Sequence, residues 1–162
     1  MSSLKILLLA AAAAVAPEKG TIEFDAADYP RYTVEAALKL EPCSNDGVKD
    51  VLFSSEVRWQ GAGRKATPAR ARLLAQWTKH VGDVEASSRY LEERSFTEGG
   101  RVHWAVAPEG LIPYLEMDLR PGDKLIIYFV FVGCESSRPV FAIEEYAEPE
   151  NYDKVDEDDI VI

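Results

Sequence analysis

Cysteine and histidine are scarce in this chain, which has only two of each among its 162 residues. Two cysteines cannot build a four-thiolate zinc site and two histidines add little, so no metal and no cofactor are expected. Cations are also in the minority, because 18 Lys and Arg face 28 Asp and Glu and leave a net charge of −10. That balance argues against nucleic-acid binding, which needs a surplus of positive charge facing the phosphates.

Familiar catalytic motifs are missing too. The chain has no Gly-x-Ser-x-Gly elbow, no His-Glu-x-x-His pair, no Walker loop and no dinucleotide-binding glycine pattern. The best remaining acid–base pair is His103 with Glu109, because an imidazole beside a carboxylate can act as a general base. This pair supports an alternative prediction, a small periplasmic hydrolase or isomerase. The simpler interpretation of His103 is an ordinary surface histidine on the polar face of its strand.

The N-terminus has the pattern of a secretory signal peptide. One Lys is followed by an apolar run that ends in small residues, with possible cleavage after Ala14 or Ala16. The run is shorter than the roughly 20 residues that a membrane span needs, and no later run is long enough. Residues 1–16 are therefore predicted to be a cleaved signal peptide of a periplasmic or secreted protein that does not span the membrane. The alternative is an Ala/Leu-rich helix retained in the fold.

Export gives the two cysteines a structural role. Cys43 and Cys134 are the only possible intramolecular pair, and an oxidising compartment favours a disulfide between them. The bond would close a loop of roughly 90 residues, long enough to restrict the unfolded chain strongly. In a reducing compartment, two unpaired buried thiols would be the better interpretation.

Hydrophobic periodicity predicts a single α+β domain over residues 17–148, made mainly of antiparallel strands. We expect a small β-barrel or a curved sheet with a helix inserted between the second and third strands. Residues 34–40 alternate like a strand, although their composition suits a helix equally well, and the turn at 45–47 would join them to the next strand as a hairpin. Strands are predicted at 21–24, 34–40, 51–59, 101–106, 124–132 and 140–146.

The clearest helix begins after Thr67, where a hydroxyl cap precedes Pro68. Apolar residues then recur on one helical face as far as Gly82, a natural stop. Residues 83–96 remain open between a second short helix and a strand, and residues 111–118 between a short strand and a helical turn. The sequence Gly61-Ala-Gly63 is expected to break the second strand.

Charge is distributed unevenly along the chain. The last 20 residues carry a net charge of −8 and the other 142 only −2, so residues 149–162 are predicted to form an acidic mobile tail. In contrast, residues 58–80 contain six cations and no acid.

This basic segment is the candidate binding site, and an anionic ligand or an acidic protein is the candidate partner. The leading prediction is an exported, non-enzymatic binding or envelope-associated domain. Two alternatives remain open: an ordinary solvated helix face with Trp77 in the core, or the acidic tail folded onto the basic helix. The predicted ligand-binding residues are Arg64, Lys65, Arg70, Arg72 and Lys79.

Overall fold

A computed structural model describes residues 24–149 of the protein. The predicted signal peptide lies outside these residues, as do the predicted strand at 21–24 apart from Phe24 and the acidic tail apart from Pro149. The described chain contains three α-helices and five strands, with short 3₁₀ turns at Ala26–Asp28 and Val84–Arg89. In chain order the elements are α1 (Val34–Leu40), β1 (Gly47–Lys65), α2 (Pro68–His80), β2 (Glu92–Glu98), β3 (Arg101–Ala107), α3 (Ile112–Asp118), β4 (Lys124–Glu135) and β5 (Arg138–Ala147).

The five strands form one sheet that closes into a ring. Neighbouring strands follow the order β1-β2-β3-β5-β4, and β4 pairs back with β1. Every pairing is antiparallel except the one between β3 and β5. The predicted fold class, α+β with a mainly antiparallel curved sheet and helices inserted between strands, is confirmed. The inserted helix α2 lies between the first and second strands, because the strand predicted at residues 34–40 is a helix.

Strand β1 closes the ring because it bends and pairs along both sides. Its first part, as far as Arg58, pairs with β4, and its last part pairs with β2. The register shifts between Trp59 and Gly63, where Gly61 has a φ of 75°. The expected break at residues 61–63 is therefore a bulge inside a continuous strand, and the bulge sharpens the bend.

The ring encloses an aromatic core. Side chains from all five strands meet inside it, and α1 and α3 add buried residues to the same cluster. Both helices therefore help to fill the interior of the ring. The largest fully buried members are Phe53, Trp59, Phe96, Leu115, Leu125, Ile127, Phe129, Phe131 and Ile143.

Helix α1 replaces the strand predicted at residues 34–40. Thr33 caps it by accepting a hydrogen bond from the N–H of Ala36 at 3.0 Å, and the carboxylate of Glu98 accepts from the N–H of Val34 at 2.8 Å. These two caps satisfy backbone donors that helix formation leaves unpaired. The predicted hairpin between residues 34–40 and 51–59 is consequently wrong.

Helix α2 confirms the predicted helix and its cap. Thr67 accepts from the N–H of Arg70 at 3.3 Å, and Pro68 occupies the first turn. Leu73, Leu74 and Trp77 are buried in a second cluster with outward-facing residues of β3, β4 and β5. The helix thus covers part of the outer surface of the sheet. The open choice for residues 83–96 is resolved as a 3₁₀ turn followed by β2.

The predicted disulfide between Cys43 and Cys134 is present. It joins the loop after α1 to the end of β4, across a sequence separation of 91 residues. Within residues 24–149, no helix has the length and apolar character required to cross a membrane.

Candidate functional site

The basic segment is organised around a buried carboxylate that the sequence analysis does not single out. Glu93 in β2 is 1% exposed and accepts hydrogen bonds from Nε of Arg64, at 2.6 Å, and from Nη1 of Arg70. A buried charge is costly unless it is paired and hydrogen-bonded. Glu93 therefore holds the end of β1 and the first turn of α2 in place, and the three charges together sum to +1.

Arg64 is held on two sides. Its Nε is bonded to Glu93, and its guanidinium carbon lies 3.9 Å from the centre of the Trp104 ring. This stacking is a cation–π contact that orients the guanidinium plane. The Arg64 side chain is 43% exposed, and within residues 24–149 its hydrogen bond to Glu93 uses Nε and leaves the two terminal nitrogens without a hydrogen-bond partner. The terminal nitrogens of this oriented side chain are therefore free to donate to a ligand.

The structure divides the predicted ligand-binding residues into two groups. Arg70 is on the buried side of α2, where its side chain is only 12% exposed and is paired with Glu93. Arg72 and Lys79 are exposed and seven residues apart, so they share the solvent side of the helix. Lys65 is exposed at the end of β1. Within the described chain, none of these three exposed cations forms an ion pair.

Glu93 and Trp104 are the functional residues that sequence analysis misses. Glu93 is 29 residues from Arg64 in the chain and becomes its neighbour only through the cross-strand register of β1 and β2. For Trp104, the sequence indicates no more than a place on the apolar face of its strand. The local signal available was the alternation in β3, which groups Trp104 with Val106, and the structure shows that this face is the outer one, under α2.

A second buried arginine serves the fold. The Arg94 side chain is 8% exposed and lies 2.9 Å from Glu116 of α3 and 3.0 Å from Glu92. A Cβ atom added at Gly63 would lie 2.8 Å from Nη1 of Arg94, so the glycine makes room for this side chain. These contacts tie α3 to β2 and leave Arg94 too buried to meet a ligand.

His103 and Glu109 are not brought together. His103 stacks on Phe96, its cross-strand partner, with 5.6 Å between ring centres. Its side chain is therefore on the inner face and half-buried, which corrects the expected exposed position. Burial lowers the pKa of the imidazole and Arg101 lowers it further, while Glu98 opposes them. Glu109 is exposed beyond the other end of β3, where its N–H donates to the carbonyl of Arg89.

Two further kinds of site, a thiol nucleophile and a metal centre, are absent from the described residues. Cys43 is in the disulfide and is not a thiol nucleophile. Across residues 24–149, no three His, Cys, Asp or Glu side chains are placed to hold a metal ion.

A titratable cluster on the outer face of the sheet joins three elements. The hydroxyl of Tyr29 donates to Glu144 of β5 at 3.3 Å, and the indole N–H of Trp77 donates to Asp50 at 2.8 Å. Burial raises the pKa of the Glu144 carboxyl, the hydrogen bond from Tyr29 opposes that shift, and the nearby charge of Asp50 adds to it. The cluster fastens the segment around Tyr29 and helix α2 to the sheet.

Comparison with protein-family models and with curated proteins finds no match to this chain. Any proposal about function therefore depends on the geometry of the molecule itself.

Proposed function

We propose that the protein is an exported, non-enzymatic binding domain that recognises an anionic ligand. The predicted ligand-binding residues that are exposed are Arg64, Lys65, Arg72 and Lys79, and this set is called the cationic face below. Arg64 and Lys65 lie at the end of β1, and Arg72 and Lys79 lie on α2, the next element of the chain.

The observation that carries the proposal is the fixed position of Arg64. Glu93 and Trp104 hold its guanidinium in place, and within the described residues the terminal nitrogens have no hydrogen-bond partner. A pre-oriented arginine loses less conformational freedom on binding than a mobile one. Its two terminal nitrogens suit the oxygen pairs of sulfate, phosphate or carboxylate groups. Lys65, Arg72 and Lys79 would add long-range attraction.

Export is supported by two features of the chain. The first 16 residues have the signal-peptide pattern, and a disulfide joins the only two cysteines. Structural disulfides persist mainly in oxidising compartments. We therefore propose that the binding event takes place in the periplasm or outside the cell.

The binding test compares variants of equal net charge. The site variant is Lys65→Gln/Arg72→Gln/Lys79→Gln, and the control is Lys39→Gln/Arg120→Gln/Arg138→Gln, which removes three exposed cations elsewhere. The single variant Arg64→Lys tests the oriented arginine, because it keeps a cation beside buried Glu93 and removes the planar fork of donors. Arg70 is left unchanged, since its loss would deprive buried Glu93 of a partner. Titration calorimetry measures binding of a heparin hexasaccharide, anionic phosphatidylglycerol vesicles and a hexaglutamate peptide.

We expect one of these anionic probes to bind the wild-type protein. The site variant should weaken that binding by about tenfold or more, which corresponds to about 1.4 kcal/mol, and Arg64→Lys should weaken it by about threefold or more, while the control stays close to wild type. Equal losses in the site and control variants would show a general charge effect and refute the assignment. Failure of all three probes to bind the wild type would refute the proposal of an anionic ligand.

Export is tested separately by intact mass of the protein purified from its native host. The expected mass lacks roughly the first 14–16 residues, in keeping with signal-peptide cleavage. Thiol alkylation should occur only after reduction. A full-length mass with two freely alkylated cysteines would contradict export.

A further inference from the structure

A second surface of the molecule has the opposite character. An open groove of about 590 Å³ lies between α3 and the end of β5. Its lining includes Tyr114 and Asp118 from the α3 side and Glu145, Tyr146 and Glu148 from the β5 side. The lining contains three carboxylates, two tyrosines and no cation. We call it the tyrosine groove.

Helix α3 carries two large exposed side chains on the side of the groove, and one of them, Tyr114, lines it. Leu115 is the fully buried residue of α3 and Ile112 packs partly buried against the same core, whereas Tyr114 is 57% exposed and Met117 is 74% exposed. Residues three apart lie on the same side of a helix, so these two side chains form one exposed strip. On the facing wall, the hydroxyl of Tyr146 donates to Asp118 at 2.7 Å and holds its ring against α3.

We infer that the tyrosine groove binds a cationic peptide segment of a partner protein, rich in Arg or Lys. The three carboxylates attract such a segment, and the tyrosine faces can stack with guanidinium groups or cover the aliphatic parts of long basic side chains. An anionic or purely apolar ligand would leave the carboxylates desolvated without partners. This site is separate from the cationic face and does not depend on the proposed function.

Charge argues against two other occupants. Residues 150–162 follow directly after the groove but contain six acids and one lysine, so their charge repels the lining. A second copy of the chain brings a net charge of −10, and its cationic face is divided between β1 and α2, so it offers no single extended basic segment to the groove. A basic segment of another protein is complementary in both charge and side-chain chemistry.

The test uses the full chain and a capped hexa-arginine peptide as probe. The groove variant is Asp118→Asn/Glu145→Gln/Glu148→Gln, in which the amides introduced at positions 118 and 145 keep oxygen acceptors for the Tyr146 hydroxyl and N–H. The control is Asp28→Asn/Glu85→Gln/Glu135→Gln, with the same charge change at other sites. Tyr114→Ser removes the exposed ring, and thermal unfolding confirms that each variant folds.

We expect the groove variant to weaken hexa-arginine binding by about tenfold or more and the control by less than about twofold. Tyr114→Ser should weaken binding about threefold or more, a loss that persists at high salt because it does not depend on charge. Equal weakening by the groove and control variants would overturn the inference, since it would reflect net charge alone. Absence of binding to the wild type at low salt, or unchanged binding in Tyr114→Ser, would also overturn it.

Discussion

At the scale of single residues, burial and partners decide what a carboxylate contributes. Glu93 is fully buried but pairs with two arginines. Glu144 is partly buried and has a tyrosine hydroxyl as its hydrogen-bond donor, with Asp50 close enough to raise its pKa. Removing a partner of Glu93 would leave a buried charge uncompensated. Glu144 instead resists ionisation, and this makes the stability of the fold depend on pH.

The first prediction concerns Glu144→Gln. Because the folded pKa of Glu144 is raised, the protonated carboxyl favours the folded state. That stabilisation is complete below the unfolded pKa and is lost as pH rises through the folded pKa. Glutamine keeps the oxygen that accepts from Tyr29 and carries no charge. Thermal unfolding between about pH 4 and pH 7 should therefore show a higher Tm for Glu144→Gln at neutral pH and a flatter pH profile.

The matched control for that prediction is Glu109→Gln, which changes an exposed carboxylate. Its pH profile should follow the wild type, because the change removes one surface charge and leaves the Tyr29–Glu144 pair intact. A Glu144→Gln profile parallel to that of the wild type would contradict the assigned role of Glu144.

At the scale of elements, α1 shows how a distant residue selects between two local structures. The sequence of residues 34–40 suits a strand or a helix. Thr33 provides a local cap, but the second cap comes from Glu98, which is 64 residues away at the end of β2. Glu98 also accepts from the hydroxyl of Ser55, a residue only 2% exposed. One carboxylate thus links α1, β1 and β2.

The second prediction follows from that link. Glu98→Ala removes the acceptor of two donors, the N–H of Val34 and the hydroxyl of Ser55, and should destabilise the protein by about 1–3 kcal/mol. Glu98→Gln retains an acceptor oxygen and should cost clearly less. Urea unfolding measures both variants, and hydrogen exchange of the Val34 amide reports on the start of α1. Equal stability of Glu98→Ala and wild type would show that the caps are dispensable.

At the scale of the whole molecule, closure of the ring depends on contacts between distant parts of the chain. β1 pairs with β4 over residues 47–58, and the disulfide reinforces the same region by joining Cys43 to the end of β4. The two charged surfaces also belong to this scale. The cationic face lies on β1 and α2, while the tyrosine groove lies on α3 and β5.

The third prediction is a large loss of stability in Cys43→Ser/Cys134→Ser. Removing a cross-link between residues 91 apart frees the unfolded chain and should cost about 2–5 kcal/mol. Urea unfolding of oxidised wild type, reduced wild type and the double variant makes the comparison. The reduced wild type should resemble the double variant. Identical midpoints for all three would show that the bond adds nothing to stability.

Local patterns in the sequence determined much of the secondary structure. A hydroxyl cap followed by proline and a one-sided apolar stripe identifies α2, and apolar runs identify β3, β4 and β5. These signals work because helix caps and hydrophobic periodicity act within a few residues. The disulfide was also predictable, since only one pairing is possible.

Tertiary structure alone decided the parts that join distant residues. The bulge that keeps β1 continuous, the cap that Glu98 adds to α1 and the burial of His103 against Phe96 all come from neighbours far away in sequence. The same holds for the basic segment. Arg70 pairs with buried Glu93 whereas Arg72 is exposed, and only the tertiary structure distinguishes the two arginines. Composition shows that a charge is present. Its partners and its burial determine whether it supports the fold or faces a ligand, and for Glu93 both follow from the register between β1 and β2.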